Sequence, residues 1–393
     1  MNESAETMIT LGVLFLLGLA TDMLGRRTRL PRVTLLLIFG FVIGPSGFKY
    51  LMPEEQLWFP FITNMALVMV GFLLGEKMTQ ANMRLFGRLV FWFSLSVVTA
   101  TTLLVLGGLL LMGVRTEIAL LLAGIATATA PAATTDVIHE MRAEGPFSST
   151  LLGIVALDDA WGLIVFSLTL TAVQVISGQG DSLSPLLMGA WELGGAVLVG
   201  VALGVPMAFL TGRIKPGEPT LIEALGLVLL CGGVALRLEV SFLLASMCLG
   251  TVVANLASHH MRPFHAIEDI EWPFMVLFFM FGGASLHTAA LSQIGLIWAG
   301  YIVLRILGRV AGSLIGGIFS KAESNFTRWM GMALMPQAGV ALGMALMVAQ
   351  RRPDLGEIIL PIIVAATIFF ELTGPVLTRT ALLRAGEARL ETE

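Results

Sequence analysis

Two aspartates stand side by side, Asp158 and Asp159, in the apolar run Gly153-Ile154-Val155-Ala156-Leu157-Asp158-Asp159-Ala160-Trp161. Ionisable groups inside hydrocarbon cost several kcal/mol and persist mainly where they work or pair. Adjacent helical residues point about 100° apart, so one carboxylate can meet an ion while the other meets a partner on a neighbouring helix. Burial disfavours the charged form of a carboxylate, and a hard monovalent cation prefers oxygen ligands. A cation and a proton therefore compete for the same oxygens at Asp158 and Asp159, and that competition is exchange. A mere packing pair satisfied by hydroxyls is the plain alternative. It is disfavoured because no structural cation stands beside the two acids in sequence.

The compensating charge is expected at Arg305, in the middle of Tyr301-Ile302-Val303-Leu304-Arg305-Ile306-Leu307-Gly308-Arg309, paired with Asp158. Arg309 lies four residues on and on the same face, nearer the cytoplasmic end, where it can snorkel to water. Hydroxyls come from Ala126-Thr127-Ala128-Thr129-Ala130-Pro131-Ala132-Ala133-Thr134-Thr135. Thr129 and Thr134 join the cation/proton-binding set, and Thr127 is a secondary candidate with Arg309, Glu371 and Gln337. For each threonine alone a helix–helix hydrogen bond is the commoner use. Glu371, in Phe369-Phe370-Glu371-Leu372-Thr373-Gly374-Pro375, is a third buried acid for which a structural role outweighs ion contact. Asp136 and His139 read as mouth residues, and Asp22, Glu192 and Glu223 as interfacial ones. Cys231 and Cys248, both in apolar runs, read as core filler rather than a disulfide or metal pair.

The elements that must hold these groups are membrane spans. The 393-residue chain is 56% hydrophobic and 13% charged, with mean hydropathy +0.88. A soluble domain carries about 25% charged residues. Apolar runs of about 18 residues or more recur throughout, each long enough to cross roughly 30 Å of hydrocarbon. Windowing between polar punctuation predicts an all-α polytopic membrane protein of thirteen spans. The Lys and Arg residues test this count. Most fall in alternate loops, at Arg26–Arg32, Lys77–Arg88, Arg142, Arg213–Lys215, Arg262, Lys321–Arg328 and the tail. Positive charge marks the cytoplasmic side, which puts the N-terminus outside and the C-terminus inside. The acidic first residues lack the basic region of a cleavable signal, so the first helix is expected to be retained.

Spans five (116–138) and twelve (328–350) each carry a proline in mid-membrane among small residues, at Pro131 and Pro336. Paired breaks in corresponding helices point to inverted repeats around a central site. Repeat one is 8–177, the linker helix 184–212 and repeat two 220–379, within a single membrane domain of 1–393. The segment 380–393 is a short cytoplasmic tail. No soluble domain or cofactor is expected, and the only partners are the bilayer and a second copy, not nucleic acid.

In order and spacing these motifs resemble the cation/proton antiporter superfamily, in particular its paired-aspartate branch. They are Thr129-Ala130-Pro131, Asp158-Asp159, Phe278-Phe279 through Gly282-Gly283, Arg305-Ile306-Leu307-Gly308, Met335-Pro336-Gln337-Ala338-Gly339 and Glu371-Leu372-Thr373-Gly374-Pro375. The resemblance covers nearly the whole chain. It implies a six-helix core with crossed discontinuous helices, a separate dimerisation domain and a homodimer whose cores move like elevators. By position Asp159 matches the ion-binding carboxylate, Asp158 the acid that pairs with a basic residue of span eleven, and Thr129 the unwound segment. One departure stands out. Electrogenic members commonly place lysine where Arg305 stands, whereas the electroneutral branch has arginine there but Asn-Asp in place of two acids. That branch also holds its arginine with a glutamate one turn earlier, where this chain has Ile154.

The expected function is therefore secondary antiport of a monovalent cation for H⁺ in a bacterial inner membrane, serving pH homeostasis. Na⁺ is the first choice, with K⁺ or Li⁺ as alternatives. The rival is an ion-coupled symporter of a small organic anion, which wants a basic or roomy crossover. An intramembrane aspartyl protease is excluded, because its two acids come from different helices. A channel is excluded because nothing repeats like a symmetric ligand ring.

Overall fold

The computed structural model describes residues 3–28, 32–51, 59–76, 78–79, 87–177, 184–211, 220–257, 261–285 and 288–388. Most of these are helical, with no strand among the described residues. The first group is α1 (Glu3–Thr28), α2 (Arg32–Ile43), α3 (Phe59–Glu76), α4 (Gly87–Leu111), α5 (Thr116–Ile125), α6 (Pro131–Glu140) and α7 (Pro146–Ile176). Then come α8 (Ser184–Thr211), α9 (Thr220–Arg237), α10 (Phe242–Leu256) and α11 (Met261–Ala284). The last are α12 (Thr288–Ser320), α13 (Ser324–Ala333), α14 (Gly339–Arg351) and α15 (Pro353–Ala385). Within α1, α4, α7, α8, α12 and α15 lie stretches long and apolar enough to cross a membrane.

The two proline-bearing spans are each interrupted. α5 stops at Ile125 and α6 starts at Pro131, with Ala130 extended between them. Proline at the first helical position lacks the amide that would have continued the helix behind it. α13 stops at Ala333, α14 starts at Gly339, and Pro336 lies in the gap. The two gaps touch, because the Ala130 amide donates to the Pro336 carbonyl at 3.0 Å.

The rotation of α12 is set by small residues. Gly308, Gly312 and Gly316 recur once per turn, and a Cβ at each would stand 2.6, 2.5 and 2.8 Å from the Cα of Thr101, Val97 and Phe93 on α4. The reversed order of contacts makes α4 and α12 antiparallel. Such small-residue seams are how helices approach closely in a membrane, where no hydrophobic force draws them together. With that seam fixed, Arg305 and Arg309 are carried by a rigid element.

Close to that seam, where the Phe326 ring meets those of both Phe93 and Phe147, the tail clasps the acid-bearing helix. Gly386 ends α15 in the left-handed conformation, φ 82°. The chain turns back there, and the Glu387 carboxylate accepts from the Phe147 amide at 2.5 Å and from the Ser148 amide and hydroxyl at 2.8 Å each. The N-cap residue of α7 is Gly145, which has no side chain to serve its first amides. Glu387 does so instead, with its charge at the positive end of the helix. Glu387→Ala should therefore lower stability by about 1 kcal/mol, read as a lower thermal midpoint of the detergent-purified protein. An unchanged midpoint would refute the capping role.

Candidate functional site

An interrupted helix leaves its last four carbonyls without intrahelical partners, and hydrocarbon offers no water to satisfy them. Two arginines of α12 take up this task. Arg305 donates from Nε to Ala126 O at 3.1 Å and from Nη2 to Ala128 O at 2.9 Å. Its Nη1 reaches across to Met335 O in the other gap at 2.8 Å. The guanidinium also lies over the Phe370 ring, 4.3 Å from its centre, a cation–π contact made out of water. Arg309 Nη2 donates to Thr127 O at 2.5 Å and to Ala128 O at 3.2 Å. The negative ends of the helix dipoles at both breaks thus face fixed positive charge.

Asp158 completes the cluster. Its Oδ2 accepts from Arg309 Nη1 at 2.5 Å and from Thr129 Oγ1 at 2.7 Å, and its Oδ1 accepts from Ser94 Oγ of α4 at 3.3 Å. Both side chains of the ion pair are 0% exposed. The expected partnership of Asp158 with Arg305 is corrected here: Arg309 makes the ion pair. Both arginines lie on one face of α12, and the one facing the carbonyls of both gaps is drawn to them, leaving its neighbour one turn on to meet the acid. Arg309 does not snorkel to water; it is fully buried.

The other candidates are placed as follows. Thr129 joins the cluster, whereas Thr127 and Thr134 turn their hydroxyls to local carbonyls, Gly124 O at 2.7 Å and Ala130 O at 3.2 Å. Gln337 lies in the second gap, its Nε2 donating to Tyr301 OH at 2.9 Å and Ile125 O at 3.3 Å, while its buried Oε1 has no partner. Asp159 follows Asp158 on α7, but its side chain lies outside the described residues, as does that of Asp22. Glu371 is buried and accepts from Thr34 Oγ1 of α2 at 2.5 Å. Asp136 and His139 are exposed on α6. Glu192, read as interfacial, is buried and paired with Arg351 at 2.7 Å. Cys231 and Cys248 are free. Ser94, Tyr301 and Phe370 were not foreseen as site residues. A serine or aromatic in an apolar helix carries no local signal that it faces a charge, although Phe370 adjoins Glu371 in a flagged motif. Among the described residues no three His, Cys, Asp or Glu side chains gather to hold a metal.

Two interrupted helices that meet at a sealed ion pair, among long apolar helices, make a membrane protein with a polar centre, and the family and relatives that it matches are transporters rather than enzymes. The family model for the transmembrane sodium/hydrogen exchanger matches residues 11–382. The chain belongs to the sodium/hydrogen exchanger family. It is 22% identical over 341 residues to the ammonium/H(+) antiporter subunit AmhT of Alkalihalophilus pseudofirmus, an alignment spanning 85% of this chain and 83% of that one. Its fold is that of the sodium proton antiporter MjNhaP1 of Methanocaldococcus jannaschii at pH 8, with TM-score 0.74, 20% identity, and coverage of 97% of this chain and 96% of that one.

Breaking a buried pair from one side leaves an uncompensated charge, at a cost of about 3–5 kcal/mol. Asp158→Ala and Arg309→Met should each destabilise the detergent-solubilised protein by that order. The double variant should lose less than the two singles combined. Additive losses in thermal or chemical unfolding would show that the pair is not coupled.

Proposed function

We propose that this protein exchanges a monovalent cation for protons by alternating access, with Asp159 as the carboxylate that both ions visit. The observation that carries this reading is the engagement of both oxygens of Asp158. One arginine and two hydroxyls already occupy its oxygens, so it acts as a fixed anchor, and the exchanging role passes to the next residue on the same helix. Thr129 and the unpartnered Gln337 Oε1 are the side-chain oxygens nearest in role to supply further ligands.

An organic-anion symporter would need a cationic group free to meet its substrate. Arg305 has donors on three backbone carbonyls, and Arg309 is engaged by Asp158 and the first gap. That supports cation exchange over the rival. Na⁺ is the first cation to test, with K⁺ and Li⁺ beside it. The AmhT relative adds ammonium to the panel.

The thirteen-span, inverted-repeat architecture belongs to the same proposal: 8–177 and 220–379 as repeats, 184–212 as linker, the N-terminus outside and the C-terminus in the cytoplasm of a bacterial cell. Helix pairing supports it. α4 packs on α12, seven spans later. Gly40 of α2 lies against Met280 and Gly283 of α11 against Leu37, while Gly75 of α3 lies against Met247 and Gly250 of α10 against Phe72. Shifting the α2–α11 pair by seven spans turns it into the α10–α3 pair. A homodimer with moving cores completes the reading.

In proteoliposomes, Asp159→Asn should abolish cation-driven dequenching of a ΔpH dye for every member of the panel. Full exchange in that variant would discard the assignment.

A further inference from the structure

Packing sorts the described helices into two groups. One, α4–α7 with α12–α15, holds both breaks; the other, α1–α3 with α8–α11, packs mainly on itself. Within each group, glycines bring backbones together. In the first, Gly312 and Gly374 do so against Val97 and Pro336; in the second, Gly40, Gly75 and Gly200 lie against the backbone oxygens of Met280, Met247 and Ala245. Between the groups the glycine contacts are of another kind. Gly343 of α14 meets side-chain ends of Leu67 and Phe278, and Gly339 meets those of Phe279 and Met275. Side-chain ends can reseat on one another, whereas interlocked backbones cannot. This boundary is therefore the surface along which one group can shift past the other.

Polar contacts across the boundary gather where α14 stops and α8 begins. Arg351 Nη1 pairs with Glu192 Oε1 at 2.7 Å, and Thr171 Oγ1 of α7 donates to Glu192 Oε2 at 3.4 Å. Ser167 Oγ of α7 lies 3.4 Å from Ser241 Oγ of α10. The Asp158–Arg309 pair lies inside one group, whereas Glu192–Arg351 joins the two. Glu192 is fixed in its own group, because its carbonyl accepts from the Ser241 amide at 3.4 Å and Trp191 Nε1 donates to Leu238 O at 3.1 Å. Its side chain is 4% exposed and that of Arg351 26%, so the arginine has a way out to solvent. Between this cluster and the site, Leu163, Phe166 and Leu170 of α7 and Met344 and Met347 of α14 are buried. Apolar side chains thus shut this end of the boundary, and the ion pair clamps it. Glu371 of α15 makes a separate tie, to the hydroxyl and amide of Thr34 in the first turn of α2.

We propose that Glu192 and Arg351 form a gate: their pair, with the Ser167–Ser241 contact beside it, holds this end of the boundary shut and must part once in every transport cycle. The two residues do not bind the ion; they govern which side the site faces. The inference rests on alternating access as proposed above.

The test uses the full chain in proteoliposomes, with Cys231→Ala and Cys248→Ala. In that background Ser167→Cys with Ser241→Cys puts two thiols where the hydroxyls stand 3.4 Å apart, within reach of a disulfide. Oxidation, verified by loss of free thiol, should stop Na⁺-driven exchange, and a reductant should restore it. Exchange that continues through the bridged form overturns the proposal, and so do thiols that never bridge. A second readout needs no exchange. Ser167 is 4% exposed, so Ser167→Cys alone should react with a membrane-impermeant maleimide only while the gate is open. Adding Glu192→Gln should speed that reaction about fivefold, the upper end of what a partly exposed ion pair commonly contributes. An unchanged rate removes the pair from the gate. Failure of the parent reading looks different: Asp159→Asn would keep its exchange while the bridge still stopped it.

Discussion

Everything in this molecule hangs on carbonyl groups that have lost their helix. Breaking the chain between α5 and α6 and between α13 and α14 inside a membrane exposes backbone oxygens that neither water nor a helical turn can satisfy. Arg305 and Arg309 bind them, and in doing so join two separate chain breaks, since Arg305 alone bridges Ala126, Ala128 and Met335. The acid is then a consequence. Two guanidinium groups buried together need negative charge, and the carboxylate of Asp158 joins the ends of the helix dipoles in supplying it.

That arrangement holds only if α12 cannot rotate. The glycine seam against α4 gives it one orientation, and any larger residue at Gly312 would drive the backbones apart against Val97. Packing that looks remote from the ion chemistry thus decides where both arginines point. The same logic runs through α7, whose first turn is tied to the tail by Glu387 and whose Gly162 presses on the first gap.

Much of this was legible in the sequence, for a physical reason: hydrocarbon tolerates few exceptions. Charges in mid-span stand out, and so do prolines among small residues. Asp158, Arg305 and both breaks were therefore visible as single letters. The pairing was not. Arg305 and Arg309 share a face of one helix, and the choice of which meets Asp158 depends on where the orphan carbonyls of a distant segment lie. Ser94 was hidden for a similar reason, because a lone hydroxyl in an apolar helix carries no sign of whether it meets its own backbone, a neighbouring helix or a charge. Glu192 looked interfacial from its place near a span end, yet it is buried against Arg351, contributed by a helix far along the chain.

The carbonyls of Ala126 and Ala128 each accept from both arginines, so both lone pairs of each oxygen are engaged. At these two oxygens a passing ion finds no free lone pair, which moves part of its recognition onto side chains. Main-chain oxygens are common to every sequence, whereas side chains change with a single codon. Discrimination among ions in a carrier of this build is thus open to drift: a few substitutions around an unaltered skeleton suffice to retune it, and kinship in fold is a poor guide to the cargo carried.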